Sequence, residues 1–271
     1  MSEGRDTITG MAYVDERTVT GLAGEHGVPA DVAGELAGLL RPCVLLVRQA
    51  DLPEAGREDL RPAGRTGGHP PLPEGDEGSR QADPFVLVVD CAALPRDHLD
   101  IELPPDGQLL FFTTFEYEPE DSAVLHVPAG VPIVEPRLRE DEEASKTPPY
   151  EPHLLYPVPG LTIDHDCHRS PLVQAFLNEA DGDGQAAEAL DRFVEALVNN
   201  VHGGTARHSV AQVGGFSDQW QVPPDQDGTV LLAQISGNGV DHGLFTLNLI
   251  TGTRQDIAAG RWENLHFEQQ Y

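Results

Sequence analysis

The chain is short of positive charge. Against 45 Asp and Glu it carries 17 Lys and Arg, a formal net charge of −28 at pH 7. Nucleic acid phosphates and anionic membranes repel such a surface. No nucleic acid and no membrane are therefore expected as partners, and a basic or neutral protein is the partner the charge favours. The same charge also serves solubility alone, and both readings stand. Cysteine is scarce too. Cys43, Cys91 and Cys167 are odd in number, widely spaced and free of any CxxC pair. That spacing argues against a disulfide framework and fits a reducing compartment. No run approaches the ~18 apolar residues of a transmembrane helix. Met1 to Val14 has no basic stretch leading into an apolar one, so no signal peptide is expected. A cytoplasmic protein follows as the expectation.

What the chain does have is length and turn residues. Its 271 residues suffice for a sizeable core, and 28 glycines with 23 prolines mark a loop-rich globular protein. We expect one globular unit over 1–271. It comprises an N-terminal helical segment (1–42), a first sheet-bearing half (43–127), a Pro-rich acidic loop and strand (128–169), a helical pair (170–204) and a second sheet-bearing half (205–271). Asp15 to Leu40 reads as helix, with Val32, Leu36, Leu39 and Leu40 on one face and Pro42 as its stop. Cys43–Gln49 reads as a strand. Ser170 with Pro171 opens a helix, Asp181–Gly184 breaks it, and Gln185–Val201 resumes it until Gly203-Gly204. Pro128–Pro159, with the run Glu140–Glu143, reads as a mobile loop. After Gly203-Gly204, strands are expected to the C-terminus, with Trp262, Leu265 and Phe267 closing the last sheet.

Two stretches repeat. Gly67-Gly68-His69-Pro70 precedes the strands Phe85–Asp90 and Gly107–Phe112. Gly214-Gly215-Phe216-Ser217 precedes Thr229–Ser236 and Gly243–Leu249. Continuous apolar runs such as Phe85–Val89 fit strands covered on both faces. We read one supersecondary unit used twice. The fold class is α/β (mixed α+β), with two related, mostly antiparallel sheet-bearing halves and helices before and between them.

GGHPPLPEG (67–75), VLVVDCAALP (86–95), LPPDGQLLFF (103–112), HSVAQVGGFSDQWQ (208–221), VLLAQIS (230–236), HGLFTLNL (242–249) and DIAAGRW (256–262) together resemble the YwqG-like family, a bacterial domain of unknown function. The resemblance spans most of the chain from residue 43 onward. It implies a mixed α/β fold with two similar sheet-bearing halves, and it implies no known reaction. Some family members lie near polymorphic toxin and immunity genes, which implies a toxin-immunity context. Two departures stand out. Family members carry Trp-Pro after the first glycine loop, where this chain has Asp76-Glu77-Gly78-Ser79. They also carry a Gln in the first-half strand, where this chain has Val88, while Gln234 keeps its place in the second half.

Candidate chemistry is sparse. Asp164-His165-Asp166-Cys167-His168 is the densest set of metal-ligand types. In a strand, His165 and Cys167 share one face and the other three residues the opposite one. Either face falls short of the four ligands of a closed zinc site; a hydrogen-bonded polar loop is the competing reading. Asp181-Gly182-Asp183-Gly184 fails as a calcium loop, because Leu190 stands where a bidentate Glu is needed. Gly215-Phe216-Ser217-Asp218-Gln219 lacks the final glycine of a nucleophile elbow. The double-glycine loops remain. As a site they offer ligand- or partner-binding candidates Gly67, Gly68, His69, Gly214, Gly215, Gln219, Trp220, Gln221 and Gln234; as turns they need no ligand. The expectation is a non-enzymatic protein-interaction or regulatory module, with no catalytic residues and no cofactor. The alternatives are a metal-dependent hydrolase using residues 164–168 and a small-molecule binder in a cleft between the halves.

Overall fold

The computed structural model describes residues 14–52, 61–75, 84–115, 119, 121–134, 150–179, 184–199, 209–218, 225, 228–240, 243 and 246–270. The chain divides into two compact units, one of residues 1–41 with 161–201, the other of residues 42–160 with 202–271.

The first unit is helical. α1 (Glu16–His26) starts where the Asp15 carboxylate accepts the Thr18 N–H at 2.9 Å, and it ends at Gly27 with φ 72°. The single N-terminal helix expected from the sequence is thus two. A left-handed glycine closes α1, and Pro29, whose φ is fixed, starts α2 (Ala30–Gly38). Pro42 does not end a helix, because it lies inside a strand. α3 (Pro171–Glu179) and α4 (Gln185–Asn199) follow the expected helical pair. The expected end of α4 and Gly203-Gly204 lie outside the described residues. Leu190, Phe193 and Leu197 on α4 are fully buried and cluster with Val32, Leu36 and Val173. An apolar stripe buried in this way is what makes short helices stable in water.

The second unit is built on strands β1 (Leu40–Arg48), β2 (Gly64–Thr66), β3 (Leu72–Pro73), β4 (Phe85–Asp90), β5 (Gln108–Phe112), β6 (Ala123–Val127), β7 (Ile133–Val134), β8 (His153–Ile163), β9 (Ala211–Val213), β10 (Thr229–Ser236), β11 (Leu247–Thr253) and β12 (His266–Gln270). β3 and β7 form a two-stranded sheet. The other ten form one sheet in the order β12-β11-β10-β9-β1-β8-β2-β4-β5-β6. Both arms of that sheet are antiparallel meanders.

The repeat holds at the level of single hydrogen bonds. Arg65 faces Val88 and Thr66 faces Leu87; Gln212 faces Gln234 and Val213 faces Ala233. Gly67 N–H donates to Val86 O at 3.0 Å, as Gly214 N–H does to Leu232 O at 3.1 Å. Each arm carries a register shift at the matching place, between Phe85 and Leu87 and between Leu231 and Ala233. After β4 the chain makes a 3-10 turn at Cys91–Ala93, and after β10 another at Asn238–Val240. Cys91 N–H then reaches Gly107 O at 3.0 Å, and Gly237 N–H reaches Thr246 O at 2.8 Å.

The centre of the sheet is exchanged between the repeats. β8 pairs with β2, placing Leu155 opposite Gly64, and β1 pairs with β9, placing Leu46 opposite Ala211. Ala63 N–H donates to Leu155 O at 2.8 Å and Val210 N–H to Leu46 O at 2.9 Å. Each three-residue strand therefore lies against the lead strand of the other repeat. The sheet curls until its ends approach. Asn248 of β11 donates to Thr113 Oγ1 at 2.9 Å and to Thr114 O at 2.6 Å, and the Trp262 ring lies 6.4 Å from that of His126 on β6. One apolar core fills the inner side, including Leu46, Leu87, Leu109, Phe111, Leu155, Leu232 and Ile250.

Two expectations change here. The loop expected over Pro128–Pro159 contains β7 and most of the eleven-residue strand β8. Strand pairing with prolines is feasible because backbone groups alternate sides. Leu155 O turns toward β2, so Pro157 and Pro159 turn the same way beyond β2's paired residues, where a missing N–H costs nothing. The all-strand C-terminus contains α5 (Arg254–Ala258), capped by Thr253, whose Oγ1 accepts the Asp256 N–H at 3.0 Å.

Leu46 and Leu155 occupy matching central positions and are both fully buried. Leu46→Ala and Leu155→Ala should each cost about 2–5 kcal/mol. Urea unfolding followed by circular dichroism checks this, with the two losses similar in size.

Candidate functional site

Each double-glycine loop follows a three-residue strand, and its shape follows from two successive positive φ angles. These are 54° and 70° at Gly67 and Gly68, and 71° and 75° at Gly214 and Gly215. Such a turn keeps the first glycine's N–H in the sheet ladder and aims the second's elsewhere, where it meets a carbonyl or anionic oxygen. In both loops that oxygen comes from the chain itself. Gly68 N–H donates to Tyr150 O at 2.9 Å, and Gly215 N–H donates to Asp100 Oδ1 at 2.8 Å. A Cβ at Gly67 would meet Tyr150 O at 2.1 Å, and one at Gly214 would meet Asp100 Oδ1 at 2.8 Å. A positive φ together with the close approach of an oxygen favours glycine at the first position of both loops.

The residue two positions before each glycine pair holds the loop from beneath. Arg65 donates through Nη1 to Gly67 O and through Nη2 to His69 O at 2.5 Å. Gln212 Nε2 donates to Gly214 O and to Phe216 O, both at 2.8 Å. The Arg65 guanidinium also lies 5.5 Å from the Phe85 ring centre, a cation–π contact.

The second loop has further internal ties. Gln234, almost fully buried on β10, accepts the Asp218 N–H on Oε1 at 2.8 Å. Buried Asp225 accepts Ser217 N–H and Ser217 Oγ–H, both at 2.9 Å. The Asp100 side chain, 4% exposed, pairs on Oδ2 with Arg254 Nη2 at 3.0 Å, while Arg254 Nη1 donates to Asp100 O. Asp100 thus joins the loop of the second repeat to the first residue of α5. Val88 faces Arg65 as Gln234 faces Gln212. With no polar atom on its side chain, Val88 packs with Leu72, Phe85, Leu110 and Phe112.

The structure brings Gly67, Gly68 and His69 together in one loop and Gly214, Gly215 and Gln234 together at the other. Gln219, Trp220 and Gln221 lie outside the described residues. Sequence reasoning did not single out Arg65, Gln212, Asp100, Asp225 or Arg254. Arg65 and Gln212 were detectable, because both carry side-chain N–H donors at the same offset before a glycine pair. Asp100 was not, since it lies more than a hundred positions from the loop it ties.

The 164–168 cluster adopts a 3-10 turn, His165–Arg169, and not the strand weighed from its sequence. Alternation of faces therefore does not apply. Asp164 caps the turn, its Oδ1 accepting Asp166 N–H at 2.8 Å, and Asp166 pairs with Arg169 at 2.9 Å. Cys167 turns into the helical core beside Leu161 and Val173, and His168 O accepts Gln174 Nε2 at 2.6 Å. Among the described residues no group of three or more His, Cys, Asp or Glu is arranged to hold a metal ion.

All three thiols are buried. Burial, with nearby carboxylates as a smaller cause, pushes the Cys91 and Cys167 thiols up to about 11 and the Cys43 thiol higher still. A thiol held neutral in this way is a poor nucleophile. Among the described residues no helix is long and apolar enough to cross a membrane. The chain matches no protein-family model and no curated protein.

Asp100→Ala should lower stability by about 2–3 kcal/mol, by stranding the Gly215 N–H and removing the partner of Arg254. Asp100→Asn, which keeps one acceptor, should lose less. Chemical denaturation of the two variants checks the order. The thiols make a second prediction. The folded pKa values of Cys91 and Cys167 lie above the ordinary 9.0, so their contribution is complete below pH 9 and is lost as pH rises through about 11. At pH 8 a thiol reagent should label none of the three in the native protein and all three in denaturant.

Proposed function

We propose that the protein is a non-enzymatic interaction module whose acidic surface meets a basic protein partner. The observation that carries this reading is the net charge of −28. In the helical unit, Glu16, Glu25, Asp31, Glu188, Asp191 and Glu195 are all exposed. Glu188, Asp191 and Glu195 recur at helical spacing on α4, where Arg192 lies 3.8 Å from Glu188. Like charges so placed cost a helix a few tenths of a kcal/mol. A cationic partner would offset that repulsion and would be drawn in faster by the long-range field. The internal pairing of Asp100, Gln212, Gln234 and Asp225 supports the same reading, since those groups serve the loop they hold. The likeness to the YwqG-like family adds a toxin-immunity context, in which the basic partner is a toxin that the module neutralises.

The test is binding of host-extract proteins to the immobilised chain, read as a saturable isotherm at low and high salt. Saturable binding that weakens with salt, and weakens about tenfold in the triple variant Glu188→Lys, Asp191→Lys, Glu195→Lys, is the expected result. Circular dichroism of the variant confirms that its helices remain. No saturable binding, or binding indifferent to salt and charge reversal, overturns the proposal.

A further inference from the structure

By chain order β1 opens the first repeat, yet it lies against β9 of the second. β8 opens the second repeat, yet it lies against β2 of the first. With segment I as the residues through Val134 and segment II as those from Tyr150, the sheet reads β12, β11, β10 and β9 from II, then β1 from I, then β8 from II, then β2, β4, β5 and β6 from I. Segment I alone has an open slot between β1 and β2, and segment II alone has one between β8 and β9. The helical unit is interleaved likewise, with α1 and α2 from segment I and α3 and α4 from segment II. The two largest hydrophobic clusters draw on both segments. Leu46, Leu87 and Phe111 from I meet Leu155, Leu232 and Ile250 from II, while Val32 and Leu36 from I meet Phe193 and Leu197 from II.

Residues 135–149 form the one covalent link between the segments. Fifteen residues reach about 50 Å when extended. We propose that the surfaces lining these slots bind the complementary segment of a second copy of this chain, giving a strand-exchanged dimer. Each lobe of that dimer takes segment I from one copy and segment II from the other. Every strand pairing and core contact of the monomer is reproduced, so the balance between the two forms is set by chain concentration and by the entropy of the link.

The test refolds the full chain from denaturant at dilute and concentrated protein and reads mass by light scattering after gel filtration. The chain carries a protease site inserted between Asp141 and Glu142. A species of twice the chain mass should form, its fraction rising about tenfold for a tenfold rise in concentration at low conversion. Circular dichroism should match that of the monomer. Cutting at the inserted site should then convert the dimer to species of single-chain mass, each holding both pieces, because the two lobes are joined only through their links. Three results overturn the proposal: monomer alone at every concentration, a dimer that keeps its mass after cutting, or cut monomer whose pieces separate in native buffer. If the concentrated refold precipitates, tagged and untagged chains are cut separately, partly unfolded and mixed. Capture of a tagged segment with an untagged complement supports the exchange, and no hybrid capture overturns it.

Discussion

An oxygen seated against two left-handed glycines is the constraint on which the sheet-bearing unit depends. Tyr150 O takes this place at Gly67-Gly68 and Asp100 Oδ1 takes it at Gly214-Gly215. A Cβ at the first glycine of each pair would meet that oxygen, at 2.1 Å for Gly67 and 2.8 Å for Gly214, and the positive φ of all four glycines strains any L residue. The turn ends a three-residue strand, sends the chain away from the sheet and frees the strand after it to return in antiparallel register. In both repeats a side-chain donor two positions before the turn fixes two of its carbonyls. Short strands such as β2 and β9 bury little on their own. Their place in the sheet comes from this turn and from the longer strands on either side.

The same backbone carries different chemistry in the two repeats. Across the first, one row of side chains runs Arg65, Val88, Leu110 and Leu125; across the second, the matching row runs Gln212, Gln234, Leu249 and Glu268. Val88 and Leu110 are covered by Leu72 of the small β3–β7 sheet, so that face becomes a dry layer. Gln212 and Gln234 instead hold the second loop through hydrogen bonds. A valine at residue 88 and a glutamine at residue 234 are therefore solutions to different covering problems. An apolar lid needs an apolar floor, whereas a loop rich in backbone N–H groups needs acceptors beneath it.

Much of this was visible in the residues. The strands Phe85–Asp90 and Thr229–Ser236 show as apolar runs, the helix from Pro171 shows through its serine and proline, and the pairing of Val88 with Gln234 follows from lining up the two glycine loops. What stayed hidden has a common physical cause. β2 and β9 are too short to show any periodicity. β8 contains Pro157 and Pro159, which count against a strand unless the neighbouring strand is known to stop short. The exchange of β1 and β8 is a choice between two partners of almost the same pattern, Leu46 and Leu155, and local sequence cannot decide it. Asp100 was invisible for the same reason, since an isolated aspartate in a loop has many ordinary uses.

Those hidden contacts also change where chemistry should be sought. A glycine loop with a histidine or glutamine nearby reads from sequence as a place to receive a ligand. Here an oxygen of the chain already fills each loop's turn, and Gln212, Gln234 and Asp225 spend polar atoms on backbone groups. The thiols are sunk in apolar surroundings that hold their protons. The carboxylates of Glu16, Glu25, Asp31, Glu188 and Asp191 on α1, α2 and α4, by contrast, face solvent. Burial has thus sorted the polar groups by their work. Those inside the sheet-bearing unit determine how one repeat closes upon the other, and those left outside retain a field that extends about 8 Å into physiological salt. The proposed recognition draws on the second set, and the first set holds the loops of the sheet-bearing unit.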